Sequence, residues 1–147
     1  MADEDISPFA LLALRKTDPK GFFPKLFSRL TRLRLMTRYP HGGIVVDGVL
    51  YHATFKNQLN CEDFNPDGWD LFHVPVNRNV VLLRFFRSYG AKYDWISLLA
   101  FIVPWRVSMS EWFYCYEWCW FALTGEMPKR RITPEDLLTL SGGRYGN

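Results

Sequence analysis

Cys115 and His41 are the two residues of this chain whose types could carry nucleophilic chemistry together. A thiol attacks as its thiolate, and a helix N-terminus or a neighbouring imidazolium lowers its pKa. Cys115 lies near the start of an aromatic segment, Trp112 to Leu123, that follows the N-cap residues Ser108 and Ser110. His41 follows Pro40 and precedes the β-branched run Ile44-Val45-Val46. Asp47-Gly48 then predicts a tight turn into a second strand, Val49 to Thr54. His52 lies on that return strand, on the face of Leu50 and Thr54. If His41 and His52 become neighbours across the hairpin, one ring can orient the other. Cys115, His41 and His52 would then be a nucleophile, a base and its orienter. Each also has a plainer role. Cys115 could be a buried structural thiol among Trp112, Phe113, Tyr114, Trp118 and Trp120, and His41 a surface loop histidine.

The elements that must position these residues follow from periodicity. Phe9 to Lys16 is an apolar run open to strand or helix, and Thr17 to Gly21 is a turn cluster. Phe22 to Thr37 carries Phe23, Leu26, Phe27, Leu30 and Leu33 at helical spacing. Asn60 to Gly68 reads as a polar loop, and Trp69 to Val76 as a strand. Val80 to Ser88 and Tyr93 to Val103 read as helices, with Pro104 ending the second. Trp112 to Leu123 is the most apolar helix. Thr133-Pro134-Glu135-Asp136 opens a last short one with Thr at the N-cap and Pro at the first helical position. The order predicts an α+β domain over residues 9–140, with flexible tails at 1–8 and 141–147. Its central antiparallel sheet packs against the helix that carries Cys115.

Composition bounds the rest. With 147 residues, 48% hydrophobic and 17% aromatic, the chain can bury a core large enough for one domain. The net charge is +3, most of it beside Arg29, Arg32, Arg34 and Arg38. That cluster reads as a solvated face next to a core-forming Leu set; its functional alternative is contact with a polyanion. No base-stacking motif accompanies it, so nucleic acid is not an expected partner. The three cysteines, Cys61, Cys115 and Cys119, form no disulfide framework and no zinc pattern, which points to a reducing compartment and no metal or other cofactor. The start Met1-Ala2-Asp3-Glu4-Asp5 is acidic and reads as no signal peptide. The most apolar run, Trp95 to Val107, is too short for a transmembrane segment, so synthesis in the cytoplasm is expected.

Taken in order, the stretches HGGIVVDGVLYHAT at 41–54, GAKYDW at 90–95, FYCYEWCWFAL at 113–123 and TPEDLL at 133–138 resemble the circularly permuted NlpC-type papain-like cysteine hydrolases. The resemblance covers about residues 9 to 140. It implies a papain-like fold with Cys115 as nucleophile, His41 as base and His52 as third member. It implies a thiol hydrolase or peptidase cleaving an amide bond, with cell-wall peptidoglycan peptide or another acyl compound as substrate. Small members with this layout resemble bacteriophage tail proteins, which would make the chain virion-associated and other tail proteins its partners. Histidine at position 52, where many relatives carry an acid, is similar to the lecithin–retinol acyltransferase branch. It keeps open a lipid-directed thiol acyltransferase or esterase, and a catalytically silent tail module is the third alternative. Tyr116 departs from the usual Ser after the nucleophile. Glu117 is retained, with a structural role expected behind the helix, as for Tyr93 and Asp94.

Overall fold

The computed structural model describes residues 8–17, 25–26, 29, 33, 38–54, 58–89, 92–93, 112–113 and 115–144. Its main sheet is built of β1 (Phe9–Arg15), β2 (His41–Val46), β3 (Val49–Thr54), β4 (Gln58–Asp63), β5 (Trp69–Asn77) and β8 (Gly143–Arg144). They lie in the order β4-β3-β2-β1-β5-β8, and every neighbouring pair is antiparallel. Among the described residues, the helices that follow β5 in sequence are α1 (Arg78–Ser88), α2 (Cys115–Thr124) and α3 (Pro134–Leu138). Two short strands, β6 (Lys92–Tyr93) and β7 (Trp112–Phe113), pair in parallel.

The hairpin forms as its sequence predicts. Asp47 and Gly48 take φ of 51° and 74°, both in the left-handed region that a two-residue hairpin turn of this type requires. Phe9 to Arg15 resolves as a strand, and it occupies the middle of the sheet between β2 and β5. The polar segment after residue 57 departs from expectation. Residues 58–63 form β4, paired along its whole length with β3, and the loop starts only at Phe64. Leu59 is buried, and Asn60 and Glu62 lie on the opposite face of the strand, since successive side chains of a β-strand alternate. The expected 141–147 tail begins with β8, which pairs Gly143 with His73. The aromatic segment also splits: Trp112 and Phe113 are extended and the helix begins at Cys115.

Pleating sorts the sheet's side chains onto two faces. Ala10, Leu12, Leu14, Ile44, Val46, Ala53 and Val74 meet the helices, where Val81 and Phe85 of α1 and Trp118, Cys119 and Ala122 of α2 complete the larger core. Ala13, Val45 and Leu50 centre a smaller core on the other face, with Leu11, Phe64, Trp69 and Leu71 around them. α2 lies close on β2 because Gly42 has no side chain. A Cβ there would stand 3.1 Å from Leu14 Cδ2 and 3.5 Å from the Tyr116 ring. α3 starts on the expected capping box: Thr133 and Asp136 exchange side-chain and backbone hydrogen bonds.

The helices expected over 22–37 and 93–103 lie almost wholly outside the described residues. Lys25, Leu26, Arg29 and Leu33 are helical, and both leucines are exposed rather than part of the core. Among the described residues, no helix is long and apolar enough to cross a membrane.

Candidate functional site

The structure brings His41 and His52 together. His41 Nε2 and His52 Nδ1 are 2.8 Å apart, a hydrogen bond in which one ring donates to the other. The register explains the contact. His41 opens β2 opposite Arg15 of β1, and His52 stands beside Gly43, two residues further along the same face. Gly43 is what permits the approach. A Cβ at that position would lie 2.7 Å from Leu50 Cδ1, 3.0 Å from the Tyr51 carbonyl oxygen and 3.1 Å from His52 Cβ.

The groups around the pair come from β1, β4 and β5. Trp69 lies edge-on to His41 at 5.9 Å between ring centroids, and the Arg15 guanidinium lies 5.9 Å from the Trp69 ring. Asn60 faces His52 directly across the β3–β4 ladder, and Glu62 Oε1 is 3.6 Å from His52 Nε2. Sequence reasoning missed Arg15, Asn60, Glu62 and Trp69. The alternation of Leu59, Asn60, Cys61 and Glu62 was the signal for two of them, since it marks a strand rather than a loop.

This enclosure keeps both imidazoles neutral. Loss of hydration on burial, then the charge of Arg15, lowers His52 from 6.5 to about 4, although the Asn60 side chain pulls the other way. Loss of hydration, then His52 and Arg15, holds His41 well below 6.5. A neutral imidazole is a proton acceptor, so at neutral pH His41 is in the form a general base needs.

Cys115 is the first residue of α2, the position where helix N–H groups point outward. It is 4% exposed and belongs to the larger core. The Tyr116 hydroxyl donates to the Tyr39 carbonyl at 2.6 Å, which fixes the start of α2 at the end of β2 where His41 lies. The cysteine and the imidazoles therefore share one end of the sheet but belong to opposite faces: Cys115 with Ile44 and Val46, His41 and His52 with Val45 and Leu50. Cys119, one turn along, is buried and its thiol is pushed well up, chiefly by loss of hydration, so it stays protonated. Cys61 is an exposed thiol on β4.

The segment leading into His41 is anchored by a second polar cluster. The Tyr39 hydroxyl donates to Asp70 Oδ2 at 2.7 Å, and Lys16 Nζ lies 3.1 Å from Asp70 Oδ1. Asp70 is buried, so its charge needs these partners. Arg38, from the basic cluster, lies 5.0 Å over the Tyr39 ring and 3.9 Å from Asp70 Oδ2. Tyr39→Phe removes the hydrogen bond to Asp70 and the one the hydroxyl accepts from Arg38 Nη2 at 2.9 Å, and is expected to cost about 1–3 kcal/mol of unfolding free energy. A urea midpoint equal to wild type would show the hydroxyl to be dispensable.

Glu117, two residues after Cys115 on α2, is buried. Among the described residues no group of three or more His, Cys, Asp or Glu side chains could hold a metal ion. The chain matches no family model, no curated protein and no solved structure. Fold and site together define an α+β domain with an antiparallel sheet and a shielded histidine pair at one end of it.

Proposed function

We propose that the protein is a thiol hydrolase of the papain-like type, acting on an amide bond, with peptidoglycan peptide as the substrate class. The observation that carries this reading is the 2.8 Å contact between His41 Nε2 and His52 Nδ1, made at the end of β2 where the Cys115 helix begins. With His41 donating through Nε2, its Nδ1 keeps a lone pair. That nitrogen removes the Cys115 proton as the sulfur attacks the carbonyl carbon. The oxyanion is met by N–H groups of the first turn of α2, and His41 returns the proton to the leaving amine. Water then releases the acyl group from Cys115. Assembly with virion tail proteins is part of the same proposal and rests on the sequence resemblance.

A second reading is favoured by one specific observation, the placement of buried Cys115 on the helix face of the sheet. In that reading the domain is a structural module and the histidine pair a packing feature.

Alkylation separates the two. The rate of iodoacetamide addition to Cys115, followed peptide by peptide at pH 7, is expected to fall at least tenfold in His41→Ala, the lower range of general-base effects being about 100-fold. Exposed Cys61 is the internal reference and should not change. Equal Cys115 rates in the two proteins would sink the hydrolase reading and leave the structural one.

A further inference from the structure

We propose that Glu62 is a positioning residue for the histidine pair: its carboxylate accepts the Nε2–H of His52 and so determines which nitrogen of each ring carries the proton. The consequence for Cys115 rests on the hydrolase reading, but the placement of the protons does not.

The starting point is a buried nitrogen. The His52 side chain is only 6% exposed, and its Nε2 makes no hydrogen bond among the described residues. A buried polar atom left in that state is costly, so a neighbouring group is expected to satisfy it. Glu62 Oε1 is 3.6 Å away, beyond hydrogen-bond length by less than an ångström. Glu62 is 58% exposed on edge strand β4, where a rotamer change meets little resistance. Its place is fixed by register. Glu62 pairs with Leu50 and Asn60 with His52, so Glu62 is the diagonal neighbour of His52 on the face both share.

Two neutral arrangements of the pair are open. In one, His41 Nε2–H donates to His52 Nδ1, and His52 carries its own proton on Nε2. In the other, His52 Nδ1–H donates to His41 Nε2, and His52 Nε2 is a bare lone pair. The first needs an acceptor beside His52 Nε2, and the second needs a donor. The charged and titratable groups facing the pair are Arg15 from β1 and Glu62 from β4. Asn60, the polar neighbour, directs its amide nitrogen to Thr54 Oγ1 at 3.1 Å, and its carboxamide oxygen faces His52 as an uncharged acceptor. Arg15 lies toward Trp69, on the far side of the pair from Glu62. The groups beside Nε2 are thus acceptors, the Asn60 oxygen and the Glu62 carboxylate, and the carboxylate, which only accepts at neutral pH, carries the charge. It selects the first arrangement, the one that leaves His41 Nδ1 unprotonated and able to act as a base.

The test is long-range ¹H–¹⁵N NMR of the imidazoles at pH 7, in wild type, Glu62→Ala and Glu62→Gln. Wild type is expected to show a protonated His52 Nε2 and a bare His41 Nδ1. Glu62→Ala should move both resonances toward a mixture of tautomers, and Glu62→Gln, whose amide oxygen still accepts, should restore them in part. Cys115 alkylation should fall about fivefold in Glu62→Ala, the size expected of one partly exposed charge-assisted contact. The side chain is on the surface, so the fold is expected to survive both substitutions. Nitrogen shifts in Glu62→Ala identical to wild type would overturn the proposal, whatever Cys115 does. Shifts that move while Cys115 alkylation ignores both Glu62 and His41 would uphold the positioning role and remove the hydrolase reading.

Discussion

Lowering the pH from 7 to 4 is expected to weaken the fold by about 3 kcal/mol through His52 alone. The sign follows from proton counting. His52 has a pKa of about 4 when folded, against 6.5 for an ordinary histidine. Between those values the unfolded chain binds a proton that the folded chain refuses. Stability is therefore unaffected above pH 6.5 and is lost progressively as the pH falls from 6.5 to 4. His41 is lowered in the same direction and adds to the loss. The physical cause is burial of two rings that have no room for hydrated charge, with the Arg15 guanidinium opposing a further positive charge. Urea unfolding from pH 7 to pH 4 measures the slope, and His52→Gln isolates it, because carboxylates also titrate at the lower end. The variant should lose about half of the wild-type slope between pH 6.5 and 5, the remainder belonging to His41, which is buried neutral in the same way. A slope equal to wild type there would mean that His52 is not buried neutral. His41 would then lose its argument for being a neutral base.

Trp118→Ala is expected to lower the unfolding free energy by about 3–5 kcal/mol, the range for removing a large aromatic from a core. Trp118 is wholly buried on the face of α2 that meets α1. Its ring meets Phe85 edge-on at 6.0 Å, and its Nε1–H donates to Ser88 Oγ at 3.2 Å. Ser88 in turn donates to the Arg84 carbonyl at 2.7 Å, so the indole also ties α2 to the last turn of α1. Arg84 returns the connection by donating to the Ala122 carbonyl of α2 at 2.8 Å. Alanine would leave a cavity and remove the indole donor from Ser88 Oγ, which keeps its bond to the Arg84 carbonyl. Trp118→Phe keeps most of the ring and should cost about 1–2 kcal/mol, the share of the lost hydrogen bond and the small void. Urea midpoints at unchanged slope check both. Equal losses in the two variants would assign the whole effect to the Nε1–Ser88 contact, and a loss below 1 kcal/mol in Trp118→Ala would mean that the helices pack independently of this ring.

The two predictions draw on different faces of the sheet. Trp118 belongs to the apolar face that fastens α2, and with it Cys115, to β2. His52 belongs to the opposite face, where polar groups from β1 and β4 and the Trp69 ring of β5 converge. Any chemistry shared by the imidazoles and the thiol must pass around the end of β2, where His41 and the first turn of α2 adjoin.

Local physics made much of this legible in the chain itself. Asp47-Gly48 can hardly do anything but turn, because few residue pairs tolerate two successive positive φ values, and the β-branched runs beside it have one face to bury. The hairpin, the strand after Trp69, the helix near 80–88 and the Thr133 cap are all set within a few residues. So the meeting of His41 with His52 was readable once the hairpin was. Other features depend on partners far away in sequence. Phe9 to Arg15 is a central strand because β2 and β5 flank it, and residues 58–63 are a strand because β3 offers an edge. Asn60 and Glu62 reach His52 only through that pairing. The side of the sheet on which Cys115 lies was likewise decided by packing. Gly42 lets Tyr116 approach one face of β2, and the pleat sends His41 to the other, because adjacent residues of a strand point in opposite directions.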